Sequence, residues 1–274
     1  MNFQTFKPSP PLRHIVKHYW TMSSTGCNSD SNAEQIIPEG FAELVFFFDE
    51  LPEYSNSFGN VQSEIILSGQ YDHSYFIKTK GNTQLFAIVF QPFALGTIFN
   101  LPANEFLNRS TDASLLKNGK ELKTLHALMV ECRSVYEKVK LAEEYLLRKL
   151  DSTFSENFLR IGDTIHFMSH QPNSLKVPDL ASRACLSRKQ YERLFLNHAG
   201  ISPAAFSRII RFQYALFLKE KAKTKNLTEL ALAAGYYDQP HMIRDFRQLT
   251  DHSPKAFFNQ CDTISDFFLN IETP

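Results

Sequence analysis

One segment in the second half of the chain occurs twice. Asp179-Leu180-Ala181 returns as Glu229-Leu230-Ala231 at an offset of 50 residues, and one further residue in the turn then makes the offset 51. At that longer offset the aligned pairs are Ser187 with Asp238, Arg193 with Arg244, Phe195 with Phe246, Ser202-Pro203 with Ser253-Pro254, and Phe206 with Phe257. Because apolar, polar and capping positions repeat together, the sequence predicts one supersecondary unit used twice.

The pattern within each copy predicts two short helices joined by a tight turn. Leucine and alanine residues form one face of the first helix. Gly235 then suits a left-handed position after that helix in the second copy, whereas Cys185 takes the same place in the first copy, where the turn must close without glycine. Ser187 and Asp238 are predicted N-caps of the following helices. Two short helices connected in this way form a helix-turn-helix.

Polar and basic side chains occupy the first turns of each second helix. They are Arg188, Lys189, Glu192 and Arg193 in the first copy, and Gln239, His241, Arg244 and Arg247 in the second copy. Side chains of these types at the N-terminal end of such a helix can reach base edges in a DNA major groove. An ordinary solvated helix face is the alternative for one helix alone, and the duplication argues against it.

On these residues the chain resembles the AraC-type transcription regulators. The second copy has the family's pattern in Gly235-Tyr236, Asp238-Gln239, His241, Arg244, Phe246 and Ser253-Pro254. The first copy matches through Leu180-Ala181, Leu186-Ser187, Arg193-Leu194-Phe195, Gly200-Ile201-Ser202-Pro203 and Arg211. The resemblance covers roughly residues 155–260. It implies a domain of seven helices whose long middle helix holds two recognition helices in adjacent major grooves of double-stranded DNA, with RNA polymerase as a further partner.

The resemblance also assigns candidate contacts. Carried over by position, the base-facing residues are Lys189, Glu192, Arg193, Gln239, His241, Ile243 and Arg244. Arg193 and Arg244 are expected to make the main base contacts, or phosphate contacts beside them. Phosphate contacts are predicted for Lys189, Arg208, Arg211 and Lys255.

The charge distribution agrees with this division. The chain has 29 basic and 29 acidic residues and no formal net charge. Residues 171–255, however, hold 14 Lys and Arg against seven Asp and Glu, which leaves 15 against 22 elsewhere. A basic segment within a neutral chain is typical of a nucleic-acid-binding domain fused to a second domain.

Cysteine usage and hydropathy indicate the compartment. The four cysteines, at positions 27, 132, 185 and 261, lack metal-ligand spacing and are predicted to be free thiols. No signal peptide is evident at the N-terminus. No apolar run approaches the roughly 18 residues of a membrane span. The sequence therefore predicts a cytoplasmic protein that does not associate with a membrane.

The predicted fold class is α+β with two domains. Residues 1–150 form a β-rich barrel or sandwich, cupin-like by a loose resemblance to amino-terminal domains of some AraC-type regulators, and carry flanking helices. Residues 151–260 form the all-α domain of two helix-turn-helix motifs, and 261–274 are a tail. The stretch Pro11–Met22 fits either a helix or a strand, and Ser23–Ala33 is predicted to be an exposed loop. The predicted strands are Ile36-Ile37, Ala42–Phe48, Glu64–Leu67, Ser74–Lys78 and Gln84–Phe90.

An apolar stripe marks the helical end of the first domain. It comprises Val135, Val139, Ala142, Leu146 and Leu150 at helical spacing. Core packing is the favoured interpretation of this stripe. A face for a homodimer is the alternative, because exposed apolar stripes pair readily.

The first domain is predicted to sense a small-molecule effector or a partner. Aromatic side chains form the candidate pocket, and core packing is the alternative for each of them: Trp20, Phe41, Phe46, Phe48, Phe76 and Phe90. We expect no cofactor and no metal, because His14, His18 and His73 form no convincing ligand set.

The sequence favours a protein that is not an enzyme, since neither a nucleophile elbow nor a phosphate-binding loop occurs. Two alternatives stay open. One is a metal-dependent β-barrel enzyme with an accessory DNA-binding domain. The other is an interaction protein whose first domain recruits another protein.

Overall fold

The computed structural model describes residues 2–27, 34–54, 61–78, 81–150, 154–172, 176–222 and 226–260. It confirms the α+β class, with a β-rich N-terminal part followed by a helical C-terminal part. The predicted tail, the first three residues of the predicted all-α domain and the end of the predicted loop before Glu34 lie outside the described residues.

Nine strands in the described residues form two antiparallel sheets. The six-stranded sheet has the order β1-β2-β8-β4-β6-β9, and the three-stranded sheet has the order β3-β7-β5. The strands are Asn2–Phe6 (β1), Val16–Cys27 (β2), Glu34–Ile36 (β3), Ala42–Phe47 (β4), Glu53–Tyr54 (β5), Ile65–Ser68 (β6), Tyr75–Lys78 (β7), Gly81–Phe90 (β8) and Ser110–Asp112 (β9).

The strand β2 corrects the expectation of a loop over Ser23–Ala33 and also carries His18. It runs through Cys27, so the first part of the predicted Ser23–Ala33 loop is strand, with Ser23 opposite Gln84 and Ser24 opposite Thr83. Pairing with β8 explains this result, because the ladder hydrogen bonds hold small polar residues in a strand that local propensity alone disfavours. His18 also lies on β2 and therefore shares no helix face with His14.

Alternation along the strands separates two apolar layers. Leu44, Phe46 and Phe86 face one side of the six-stranded sheet and pack with the helices of this domain. Val45 and Phe47 face the opposite side and belong to a separate cluster. Successive side chains of a strand point to opposite faces, so neighbours such as residues 46 and 47 serve different layers.

Three helices complete the first domain: Leu95–Phe99 (α1), Gly119–Val130 (α2) and Val135–Lys149 (α3). The stripe predicted on α3 turns inward. Ala142 and Leu146 are fully buried, and Val135, Val139 and Leu150 pack against the same core. The core interpretation of the stripe is thus correct, and this stripe provides no dimer face.

Seven helices lie between residues 154 and 260 of the described chain. They are Glu156–His170 (α4), Val177–Arg183 (α5), Arg188–Ala199 (α6), Pro203–Ala222 (α7), Leu227–Ala233 (α8), Gln239–Thr250 (α9) and Pro254–Gln260 (α10). The pairs α5–α6 and α8–α9 are the two predicted helix-turn-helix units, and α7 connects them. Their apolar faces share one core with α4, α7 and α10.

The predicted turns and caps of both units are confirmed. Ser187 and Asp238 cap α6 and α9 through their side-chain oxygens, which accept from Gln190 N and His241 N. Gly235 is left-handed with φ of 84°, and Cys185 adopts a left-handed φ of 55° in the first copy. In the left-handed region, a residue with a side chain is less stable than glycine by roughly 1–2 kcal/mol. The two copies nevertheless close the same turn, one with cysteine and the other with glycine.

Candidate nucleic-acid interface and internal cavity

The leading turn of α6 is open to solvent. Arg188, Lys189 and Arg193 are exposed, and Glu192 is half-buried. Arg188 Nε donates to Glu192 Oε1 at 2.9 Å, one helical turn away. The capping box at Ser187 fixes the start of the helix. The predicted contact residues of the first unit therefore share one accessible surface.

The leading turn of α9 is accessible as well, although more of its side chains have partners. Gln239 Oε1 accepts from Thr228 Oγ1 at 2.8 Å, and His241 packs edge-on against Tyr236 with ring centroids 5.3 Å apart. Ile243 is half-buried, whereas Arg244 and Arg247 are exposed. The preceding residue Tyr237, which the sequence did not single out, is 86% exposed beside this turn.

Arg193 and Arg244 hold equivalent positions, each six residues after its N-cap. Both are exposed, and neither makes an ion pair or hydrogen bond with another described residue. Two unengaged guanidinium groups at matching positions are suited to bind acceptors outside the protein. Guanine edges and phosphates are the acceptors that arginine forks bind best.

A buried carboxylate fastens α9 to α7. Asp245 is only 5% exposed, and its oxygens lie 3.3 Å from Arg208 Nε, 3.4 Å from Arg211 Nη2 and 3.7 Å from His241 Nε2. Arg208 and Arg211 are consequently directed toward the protein. A phosphate contact by either side chain stays a prediction, as does a contact by the exposed Lys255 on α10.

The first domain contacts both recognition helices at their C-terminal ends. After α6, Gly200 approaches the first domain so closely that an added Cβ would lie 2.7 Å from Ala103 O. At the end of α9, Leu249 O accepts from Ser74 N, and Thr250 O accepts from Gln35 Nε2, each at 2.8 Å. Among the described residues, the first domain therefore contacts the C-terminal ends of both recognition helices and leaves their N-terminal turns accessible.

An internal cavity of about 120 Å³ lies between the two sheets. Trp20 and Phe41, both predicted pocket residues, line it. Phe46 and Phe90 instead lie in the core on the opposite side of the six-stranded sheet, and Phe48 packs against that core. Phe76 also falls outside the lining, because its neighbours Tyr75 and Ile77 supply the cavity-facing positions of β7. Because successive side chains of a strand point to opposite faces, four of the six predicted pocket residues do not line the cavity.

Carboxylates line the cavity, which the sequence analysis missed. Burial raises the pKa of Glu43 to about 7, and a hydrogen bond from Trp20 Nε1 at 3.3 Å opposes part of that effect. Burial also raises the pKa of Glu39, with a further rise from the charge of Glu43 and a smaller opposing effect of Lys17. Burial lowers the pKa of His18 to about 3, so this imidazole is neutral at pH 7.

We predict a pH-dependent effect of Glu43→Gln on stability. Because the folded-state pKa of Glu43 is about 7 against an ordinary value of 4.5 for this carboxyl, the wild type loses the corresponding stability as pH rises through this window. The glutamine variant does not titrate. Its free energy of unfolding should match that of the wild type near pH 4 and exceed it by on the order of 3 kcal/mol near pH 8.

Urea unfolding at several pH values measures the difference in free energy of unfolding between Glu43→Gln and the wild type. His18 titrates in the opposite sense, since its lowered pKa makes the fold more stable as pH rises toward 6.5, and the subtraction removes this contribution. A difference that stays constant from pH 4 to pH 8 would show that Glu43 is not held in an unfavourable environment.

Among the described residues, no group of three or more His, Cys, Asp or Glu side chains is placed to hold a metal ion. In the same part of the chain, none of the helices has the length and apolar character needed to cross a bilayer.

Comparison with known proteins agrees with the duplicated unit. Residues 180–260 match the family model described as a helix-turn-helix domain, and residues 4–112 match that of a domain of unknown function (DUF6597). An uncharacterized HTH-type transcriptional regulator of Haemophilus influenzae is 29% identical over 99 residues, which are 36% of this chain. The match spans only a third, 33%, of that relative's length.

Comparison with solved structures finds ToxT of Vibrio cholerae. One crystal structure of ToxT has a TM-score of 0.46 at 12% identity and covers 95% of this chain and 98% of that one. ToxT bound to an unsaturated fatty acid has a TM-score of 0.42 at 9% identity, with 93% of each chain covered.

The family match, the two capped helix pairs and the connecting helix coincide on the same residues. The C-terminal domain of this chain is therefore a helix-turn-helix domain with two such units, joined by the long helix α7.

Proposed function

We propose that this protein is a sequence-specific transcription regulator that reads two adjacent major grooves of double-stranded DNA. The observation that carries the proposal is the equivalent placement of Arg193 and Arg244. Both are exposed, lack partners among the described residues and lie on the leading turns of capped helices in a duplicated unit. Helices of this kind enter the major groove with their N-terminal residues on the base edges.

Other side chains near Arg193 and Arg244 support DNA binding in this proposal. Lys189 and Arg247 are exposed beside the two arginines and are placed for phosphate or base contacts. Arg188 donates a hydrogen bond to Glu192, and Thr228 donates one to Gln239. These bonds restrict the rotamers of Arg188 and Gln239 at the proposed DNA surface. Tyr237 adds an exposed hydroxyl for the DNA backbone.

The first domain is the regulatory part in this proposal. It contacts the trailing ends of both recognition helices and encloses a cavity of about 120 Å³. A small ligand in that cavity would change DNA affinity by favouring one arrangement of these contacts, in proportion to its differential affinity for the two states. RNA polymerase and a second copy of the chain are further proposed partners.

Selection of bound fragments from random double-stranded DNA tests the proposal. We expect two short preferred patches about one helical turn, roughly 10 base pairs, apart. Affinity for the selected DNA should also fall steeply with salt, since each neutralised phosphate contributes a slope of about −0.9 in log K against log salt. Recovery of fragments without any shared sequence would contradict sequence-specific recognition.

A further inference from the structure

The cavity between the sheets has an acidic lining, and the basic group that acts on it, Lys17, stands outside that lining. Glu34, Glu39 and Glu43 line it, and its lining contains no lysine or arginine among the described residues. His18, the remaining nitrogen base of the lining, is neutral because burial lowers its pKa to about 3. The walls therefore offer carboxyl oxygens as hydrogen-bond acceptors, and an entering cation would favour the ionised form of these carboxyls.

Several polar atoms of the lining lack partners. Glu39 Oε1, His18 Nδ1 and Thr83 Oγ1 are buried and make no hydrogen bond. His18 is 7% exposed and Thr83 is 1% exposed, so bulk water does not satisfy them. Buried polar atoms in native proteins nearly always have a partner, so these atoms are available to a polar group that enters the cavity.

Aromatic rings provide most of the remaining wall. Phe3, Trp20 and Phe47 line the cavity, together with Tyr71 and Tyr75, whose ring centroids are 4.4 Å apart. Such rings attract cations through the negative charge of their faces.

The protein already uses one cavity-lining ring in this way. The Lys17 ammonium lies 3.7 Å from the centroid of the Phe41 ring, and Lys17 itself stands outside the cavity lining.

We infer that the cavity is a binding site for a compact organic ammonium ion, with Glu39 and Glu43 as its counter-charges and the surrounding aromatic rings as its walls. The ammonium supplies donors to the Glu39 oxygen that has no partner, and its hydrocarbon part fills the space beside Trp20. The volume of about 120 Å³ is similar to the roughly 150 Å³ of an engineered cavity that holds benzene, and the cavity is partly open to solvent, so the site takes about one ring with a short substituent. Carboxylate ligands are disfavoured by the same charges.

The segment that carries Glu39 also contacts the DNA-binding domain. Pro38 O accepts from Gln213 Nε2 of α7 at 2.6 Å, and Gln35 donates to the end of α9. Ile37 is part of the core of that domain, and Gly40 packs against Phe206. Occupation of the cavity thus acts on a segment joined to both helices. This regulatory consequence rests on the proposed function, whereas ligand binding itself does not.

Titration calorimetry with the full chain at pH 7.5 tests the inference. The probes share a phenyl group and differ in charge: phenethylamine and benzyltrimethylammonium are cations, 2-phenylethanol is neutral and phenylacetate is an anion. We expect at least one cation to bind at least tenfold more tightly than 2-phenylethanol, and phenylacetate to bind more weakly than both. Glu39→Gln and Glu43→Gln should each weaken cation binding at least tenfold. They should leave 2-phenylethanol binding within threefold, which also shows that the cavity is intact.

Glu144→Gln is the matched control, because Glu144 is exposed on α3 and away from the cavity. This variant should bind the cations like the wild type. Failure of both cations to bind, tighter binding of phenylacetate, or unchanged cation affinity in both cavity variants would each overturn the inference. The selection of DNA fragments is a separate measurement, so its failure would remove the proposed function and leave these binding results standing.

Discussion

Replacing Asp245 by alanine is expected to lower the free energy of unfolding by about 3–5 kcal/mol, the cost of leaving a buried charge without its partner. Asp245 lies between Arg208 and Arg211 of α7, and Arg211 is only 15% exposed. Water therefore cannot replace the lost carboxylate. Arg211 Nε already lacks a hydrogen bond, which adds to the cost of losing the partner of its Nη2 atom. Urea unfolding followed by circular dichroism measures the change.

Asp163→Ala is the matched control for this prediction. Asp163 forms a two-point contact with Arg183, at 2.7 and 3.1 Å, but both side chains are exposed to solvent. Exposed pairs contribute little, because water and salt screen them, so the control should change stability far less than Asp245→Ala. Equal and small effects of the two substitutions would show that Asp245 does not hold α9 on α7.

Replacing Arg193 or Arg244 by alanine is expected to remove sequence preference at one patch of the DNA site and leave the other patch unchanged. The two residues lie on different recognition helices, so each should affect its own groove. A bidentate arginine–guanine pair contributes about 1–3 kcal/mol of discrimination, so preference at the affected position should drop about tenfold or more. Repeating the selection from random DNA with each variant measures this.

Arg183→Ala provides the control for both variants, since Arg183 lies on α5 and pairs with Asp163. It should keep both patches. Lys189→Ala should behave differently again and weaken binding to all sequences, with a salt slope smaller by about 1. Unchanged preferences in both the Arg193 and the Arg244 variants would refute the assignment of these residues as readers.

Local chemistry made the C-terminal domain predictable from sequence. N-caps, left-handed turn positions and apolar spacing act over a few residues, and the duplication shows them twice. Even the left-handed Cys185 could be anticipated, because Gly235 marks the same turn in the second copy. The Asp245 cluster was missed, although a signal exists. Asp245 falls on the buried face of α9, between Met242 and Leu249, where an unpaired carboxylate is not expected.

The first domain shows where sequence reasoning fails. The pocket was predicted from aromatic residue type, and type does not tell which face of a strand a residue occupies. A shift of one position exchanges cavity for core, as Phe46 and Phe47 show. The strand β2 was ambiguous for a similar reason, since its partner β8 lies far away in sequence. Glu39 and Glu43 were not singled out, because no local pattern shows that the two sheets bring them to one cavity.

We propose that the C-terminal domain places its two recognition helices on the same side of a duplex at a fixed separation. Inserting five base pairs between the two patches of a selected site moves one patch by half a helical turn to the opposite side. We expect affinity for this DNA to fall about a hundredfold or more, toward the affinity of a site with one patch destroyed, since several base contacts are lost together. Affinity for the lengthened site equal to that for the original site would contradict this placement of the helices.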